Sequence, residues 1–156
     1  MRRWLTLAAV VIILDQITKY AISRSLSLHE TIELTPFFNV VFVYNRGAAF
    51  SFLSDAAGWQ RELFIGIALA ASVWIGWLLR RYSEQTAFCI ALSLILGGAI
   101  GNVIDRLLYG AVVDFLDFHA LGYHWPAFNV ADSAISCGAV LLIWDALKTK
   151  GTAAAT

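Results

Sequence analysis

Apolar residues along the chain gather into four long runs. The first extends from Trp4 to Ile22 and is broken only by Asp15 and Lys19. The second, Leu63 to Leu79, has no charge. The third, Ala87 to Ile104, is also uncharged, and Asp105 and Arg106 follow it at once. The fourth, Asn129 to Leu147, has Asp132 near one end and Asp145 near the other. Each run is close to the ~20 residues that a helix needs to cross hydrocarbon. The pattern predicts membrane-spanning helices at about 4–22, 63–79, 87–105 and 129–147, in one membrane-embedded domain over 1–148. Residues 149–156 lack an apolar period and read as a disordered tail.

The intervening segments have a different period. Phe37 to Tyr44 is aromatic and β-branched, which favours strand. Gly110 to Phe118 is a second strand candidate. Both lie on the same side of the four-span frame and could pair into a small sheet at the membrane surface. Gly47 to Phe50 suits a tight turn or the start of a short helix there. The expected fold is therefore a mainly α membrane protein, with four spans plus a small β-sheet and a short helix on the non-cytoplasmic face.

Composition supports the membrane reading. Of 156 residues, 60% are hydrophobic and 14% charged. Soluble domains carry roughly 25% charged residues. Disorder, a basic nucleic-acid-binding face and a disulfide scaffold do not fit these proportions. The formal net charge is zero, so the position of each charge matters more than the sum. Arg2, Arg3, Arg80, Arg81, Lys148 and Lys150 fall on one side of the frame. Arg24, Arg46, Arg61 and Arg106 fall on the other side or at its edge. Lys and Arg mark the cytoplasmic side, so both termini are expected there. The N-terminal run could also be a secretory signal, but no small-x-small cleavage site follows it, and an uncleaved first span fits better.

This orientation brings polar residues together. Asp15, Lys19, Asn102, Asp105, Arg106, Asn129 and Asp132 all fall in the outer parts of their spans, and Asp114 lies in the outer loop. Carboxylates are costly in hydrocarbon and mark function by default. Asp15 and Lys19 are four apart and can pair. Asp105 has Arg106 beside it, as an interface anchor or a substrate contact. Asp114 and Asp132 have no basic residue within four positions. If they meet, like charges in a low dielectric share one proton. One carboxylate can then take a proton from water while the other gives one to a carbonyl oxygen. Gly97 and Gly101 form a Gly-x-x-x-Gly that suits close helix packing.

Five blocks then carry a resemblance: Asp15-Gln16-Ile17-Thr18-Lys19, Tyr44-Asn45-Arg46-Gly47-Ala48-Ala49-Phe50, Gly101-Asn102-Val103-Ile104-Asp105-Arg106, Val112-Val113-Asp114-Phe115 and Phe128-Asn129-Val130-Ala131-Asp132-Ser133. In order and spacing they resemble the signature blocks of bacterial lipoprotein signal peptidase, also called signal peptidase II. The resemblance runs from about Trp4 to Leu147. It implies an aspartic endopeptidase of the bacterial plasma (inner) membrane. Such an enzyme removes signal peptides from prolipoproteins, cutting just before the cysteine that carries a diacylglyceryl group. It implies Asp114 and Asp132 as the catalytic pair. Asn45, Gly47, Asn102, Asp105, Arg106 and Asn129 would bind substrate or inhibitor or support the pair, and Asp15 with Lys19 would be the first-span pair. It implies no metal or other cofactor, and a substrate site that globomycin-type peptides occupy. The expected partners are the diacylglyceryl-modified signal peptide and membrane lipids, not nucleic acid, for a chain acting as a monomer with its site near the outer (periplasmic) interface.

Plainer readings stand beside these. Asp15 with Lys19 suits structure better than catalysis. Asp117 reads as solvated, and Asp145 near Lys148 as a cytoplasmic end charge. Asp114, Asp117, His119 and His124 have metal-ligating side chains but loose spacing and no His-Glu-x-x-His helix. Cys89 and Cys137 lie inside spans and read as small apolar fillers, with no disulfide. Ser133 has no nucleophile elbow around it. A transporter or proton relay is the main rival, but relays favour the midplane and repeated halves, and no repeat is visible. A structural scaffold would leave Asp114 and Asp132 without a reason.

Overall fold

The computed structural model describes residues 1–47 and 59–153. Elements occur in the order α1 (Arg2–Ser25), β1 (Thr31–Thr35), β2 (Phe38–Asn45), α2 (Gln60–Arg81), α3 (Thr86–Tyr109), β3 (Val112–Ala120), β4 (Tyr123–His124) and α4 (Val130–Ala153). All four helices are long and apolar enough to cross a membrane. They match the four predicted spans but extend past them, because a helix continues into polar flanks that hydropathy does not register. Helix α4 continues to Ala153, past residue 148, where the disordered tail was expected to begin. The short helix expected after Gly47 falls outside the described residues.

Helix α3 is the centre of the bundle and packs against α1, α2 and α4. It is the most buried of the four spans. The other helices turn large apolar side chains outward: Val73 is 77% exposed and Trp144 68%. In water such faces would be a liability; against lipid they are the solvent-facing surface. The inward faces of α1, α2 and α3 meet around Trp4, Ala8, Ile75, Leu79, Cys89 and Leu92, with Leu142 of α4 packed against them. The indole N–H of Trp4 donates to the Ser83 carbonyl, so the start of α1 is tied to the α2–α3 turn. The Gly-x-x-x-Gly of α3 faces α1. A Cβ on Gly97 would lie 2.7 Å from the Ala8 carbonyl, and one on Gly101 2.6 Å from the Asp15 carboxylate.

The opposite end of the bundle carries an antiparallel sheet in the order β1-β2-β3-β4. The two strands predicted from residue type, β2 and β3, are its central pair. Strands β1 and β4 had no such signal. Every residue of β1 is exposed, and β4 has two residues. Gly110 makes the transition into the sheet: at φ 74° it ends α3, and its N–H donates to the Arg106 carbonyl. That left-handed turn is easy only for a residue without a Cβ. Leu26, Phe42 and Val113 seat the sheet on the end of α1.

Candidate active site

The cleft between the sheet and the helix ends starts from the turn into α4. Asn129 precedes the helix and Asp132 is its third residue. The Asp132 N–H donates to the Asn129 side-chain oxygen (2.9 Å), and the Asn129 N–H donates to the Asp132 carboxylate (3.3 Å). This reciprocal arrangement satisfies donors that a helix start leaves open. It also fixes the Asp132 side chain. The Asn129 amide then donates to Asp114 Oδ1 at 2.7 Å. One buried residue thus holds both aspartates, which sequence reasoning brought together only through topology.

Each aspartate has a second amide donor. Asn45 Nδ2 donates to Asp114 Oδ2 at 3.0 Å, and Asn102 Nδ2 to Asp132 Oδ1 at 2.8 Å. Asp114 sits on β3 and is 1% exposed. Burial pushes its carboxyl up to about 7, and the neighbouring Asp132 charge adds to that; the Asn45 and Asn129 hydrogen bonds and the Lys19 charge oppose it. Among the described residues, no ion pair reaches either aspartate. Both line a cavity of about 360 Å³, together with Asn45, Gly47, Asn102 and Arg106. Trp125, Pro126, Ala127 and Phe128 form its far wall, and Ser133, Ser136 and Cys137 line it along α4. Cys137 is exposed here rather than a filler, while Cys89 is buried as expected.

A second polar group lies beneath the cleft. Lys19 is almost fully buried and pairs with Asp15 and with Asp105, each at 2.8 Å. It also donates to the Asn102 side-chain oxygen at 3.0 Å. Asp15 accepts from the Ala131 N–H (2.9 Å) at the start of α4, where the helix dipole favours a negative charge. Asp105 accepts from the Val113 N–H (3.0 Å), next to Asp114. Gln16, which the sequence reading had given no role, donates to Asp105 at 2.9 Å and to the Gly101 carbonyl at 3.3 Å. These contacts tie α1, α3, β3 and α4 together behind the two aspartates.

Two expectations need correction. The direct ion-pair partner of Asp105 is Lys19, not Arg106. Asp105 is 1% exposed and paired with Lys19, so it is neither an interface anchor nor open to the cavity. Adjacent helical residues point about 100° apart, and Arg106 turns the other way. Its guanidinium donates to the Gly47 carbonyl (3.0 Å) and lies 5.2 Å from the Phe64 ring centroid. Gly47 is held in turn by its N–H donating to the Asn45 side-chain oxygen. The second correction is Asp117, which is not solvated. It is 6% exposed and accepts from Asn39 Nδ2 at 2.9 Å, with His124 Nδ1 2.9 Å from its Oδ2. Asn39 lies opposite it in the β2–β3 register, a pairing that no local sequence pattern reveals.

Fold and cleft together define a multi-pass membrane protein with two acids, one buried and one half-buried, in a pocket at one rim of its helices. A family model described as signal peptidase (SPase) II matches residues 7–148. The lipoprotein signal peptidase of Ralstonia nicotianae is 62% identical over 93% of this chain and 84% of its own length. That of a Janthinobacterium species is 57% identical over 95% and 90%. Two solved structures described as bacterial membrane enzymes are also similar. One has a TM-score of 0.87 at 32% identity, covering 97% of this chain and 92% of the other. The second has a TM-score of 0.82 at 34% identity, covering 95% and 94%. The chain belongs to the signal peptidase II family.

Proposed function

We propose that the protein is an intramembrane aspartic endopeptidase of the bacterial plasma membrane that removes the signal peptide from diacylglyceryl-modified prolipoproteins, cutting just before the lipid-bearing cysteine. The observation that carries this reading is Asn129, which holds Asp114 and Asp132 together in one cavity with no ion pair to either among the described residues. Family membership and the names of the relatives support the substrate class.

The chemistry follows from the difference between the two acids. Asp114 is the more buried, and burial pushes its carboxyl up to about 7, so it is the acid of the pair. Asp132 opens to the cavity and acts as the base. It takes a proton from water while the oxygen attacks the scissile carbonyl carbon. Asp114 gives its proton to the carbonyl oxygen. Collapse of the tetrahedral intermediate breaks the C–N bond. The leaving amine takes the proton from Asp132, and Asp114 regains one from the intermediate's hydroxyl. The cycle balances without a metal. Asn45, Asn102 and Asn129 orient the carboxylates. Asp105 acts behind them through Val113, Asp15 and Lys19 bind the frame together, and Gly47 and Arg106 border the path of an extended peptide. A globomycin-type peptide would occupy the same cavity.

The test gives purified protein a diacylated prolipoprotein peptide, with and without chelator. Cleavage before the lipidated cysteine, unaffected by chelator and blocked by globomycin, is the expected result. No cleavage would overturn the enzyme reading, and loss with chelator would overturn the metal-free route. Asp114→Asn and Asp132→Asn should each lower kcat by about a thousandfold or more in folded protein. Near-normal turnover in either variant would refute the pair.

A further inference from the structure

Asp117 is a buried carboxylate that the proposed chemistry does not use. It lies three residues beyond Asp114 on β3, and its side-chain partners are not those of Asp114. Both of its oxygens are engaged. Asn39 donates to Oδ2, and His124 Nδ1 lies 3.0 Å from Oδ1 and 2.9 Å from Oδ2. An ionised carboxylate only accepts, so the imidazole carries its proton on Nδ1. His119, stacked on His124 with ring centroids 4.9 Å apart, reaches the Asn39 side-chain oxygen with its own Nε2.

His124 ends β4, and the next residues, Trp125 to Phe128, are the far wall of the cavity. Backbone bonds hold this segment at its two ends, Trp125 and Phe128. Strand β4 has two residues, and Pro126 has no N–H to contribute. The hairpin loop before it is Leu121-Gly122, both at positive φ, in which Leu121 is strained. The Trp125 N–H donates to the Phe118 carbonyl, and Phe128 bridges to Leu116. Side chains add to these bonds: His124 contacts Asp117 and stacks on His119, and Phe128 stacks on Phe118 with ring centroids 5.9 Å apart. The residue after Phe128 is Asn129, which holds both aspartates.

We infer that Asp117, acting through His124, positions the Trp125–Phe128 wall and so sets how tightly the cavity holds an extended peptide substrate. Neither residue touches substrate. Asp117 and His124 are positioning residues, and their loss weakens substrate binding while leaving the aspartate chemistry in place. The inference rests on the peptidase reading for its kinetic consequence and on the wall's geometry alone for its structural one.

His124 is more than half exposed as a side chain, so substitutions there leave the core untouched. His124→Ala removes the contact. His124→Asn restores it, because the Asn amide nitrogen can take the place of Nδ1. With the diacylated peptide, His124→Ala should raise KM about tenfold with kcat within about twofold of the parent, and His124→Asn should recover most of the KM. An unchanged KM in His124→Ala overturns the proposal. So does a fall in kcat at constant KM, which would place His124 in the chemistry. So does a His124→Asn variant as impaired as His124→Ala, which would remove Asp117 from the route. Amide hydrogen exchange separates this proposal from the peptidase reading. If the parent protein cleaves nothing, faster exchange at Trp125 and Phe128 in His124→Ala still supports the wall's dependence on His124, and unchanged exchange overturns it.

Discussion

Asp114 keeps its proton at a pH where an ordinary aspartate has lost it, and this has a consequence for stability as well as for catalysis. Its folded pKa, about 7, lies above the 3.8 of an ordinary aspartate. The folded state therefore binds more protons than the unfolded state between those values, and stability falls as pH rises through that window. Above pH 7 the full cost of the buried charge is present. Asp114→Asn, neutral throughout, should melt higher than the parent at pH 8 and about equally at pH 4, by thermal unfolding in detergent. A lower melting temperature at pH 8 would contradict the buried-charge account. The same residue sets an alkaline limit on turnover, since kcat/KM should fall as pH rises through about 7. Asn45 hydrogen bonds the charged form of Asp114 and lowers its pKa. Asn45→Ala should move that alkaline limb to higher pH, and a shift to lower pH would reverse the assignment. Asp114 and Asp132 could be singled out in the sequence because uncompensated acids stand out in apolar surroundings. Asp117 could not, because its partners Asn39 and His124 are uncharged or weakly basic and both lie on other strands.

Helices α1, α3 and α4 meet through one cation. Lys19 pairs with Asp15 and Asp105 at the same time, and each of those carboxylates reaches another element, Asp15 to Ala131 of α4 and Asp105 to Val113 of β3. Removing one partner of a buried pair costs ~3–5 kcal/mol, because the remaining charge is left without compensation. Lys19→Met keeps the length and strands two acids, so it should lower the unfolding free energy by at least that range, read from denaturant titration in detergent. A loss of less than about 1 kcal/mol would show that the pair is solvated or already protonated. Helix positions were readable along the sequence because an apolar run of this length has one explanation. Strands β2 and β3 were readable from their aromatic and β-branched residues. Strand β1 was not, because all of its side chains are exposed and no buried face imposes a period. Strand β4 was not, because two residues carry no pattern and its turn uses Leu121 where Asn or Asp would have given a signal. Pairing of Lys19 with Asp105 was also hidden, since it depends on α1 and α3 crossing where Gly97 and Gly101 let them approach.

At the scale of the whole molecule, the two ends of the bundle differ in kind. One end holds the start of α1 against the α2–α3 turn, with Arg3 and Trp4 both donating to the Ser83 carbonyl. Arg80 and Arg81 close α2 at that end. The other end carries the sheet, the aspartates and the cavity. A membrane holding the basic end on its cytoplasmic side would turn the aspartates outward, toward a substrate whose signal helix spans the bilayer and whose scissile bond emerges at the outer rim. The opposite insertion would place the same cavity where an exported peptide never presents that bond, so orientation and function stand or fall together. Two variants, each adding one cysteine to a chain that lacks Cys137 and keeps only the buried Cys89, decide between them. Leu121→Cys sits at the tip of the β3–β4 hairpin, where Leu121 is 99% exposed. Glu84→Cys sits in the exposed turn between α2 and α3. In intact cells with a permeable outer envelope, a membrane-impermeant maleimide should label Leu121→Cys and leave Glu84→Cys unmodified until the membrane is lysed. The reverse pattern would invert the molecule and remove the geometric basis for cleavage at the outer face, whatever the two aspartates can do chemically. Labelling of both before lysis would mean that the basic end is not sealed by the membrane, and the four helices would then need another arrangement in the bilayer. Only the first pattern places the buried carboxylates, the open cavity and the emerging signal peptide on the same side.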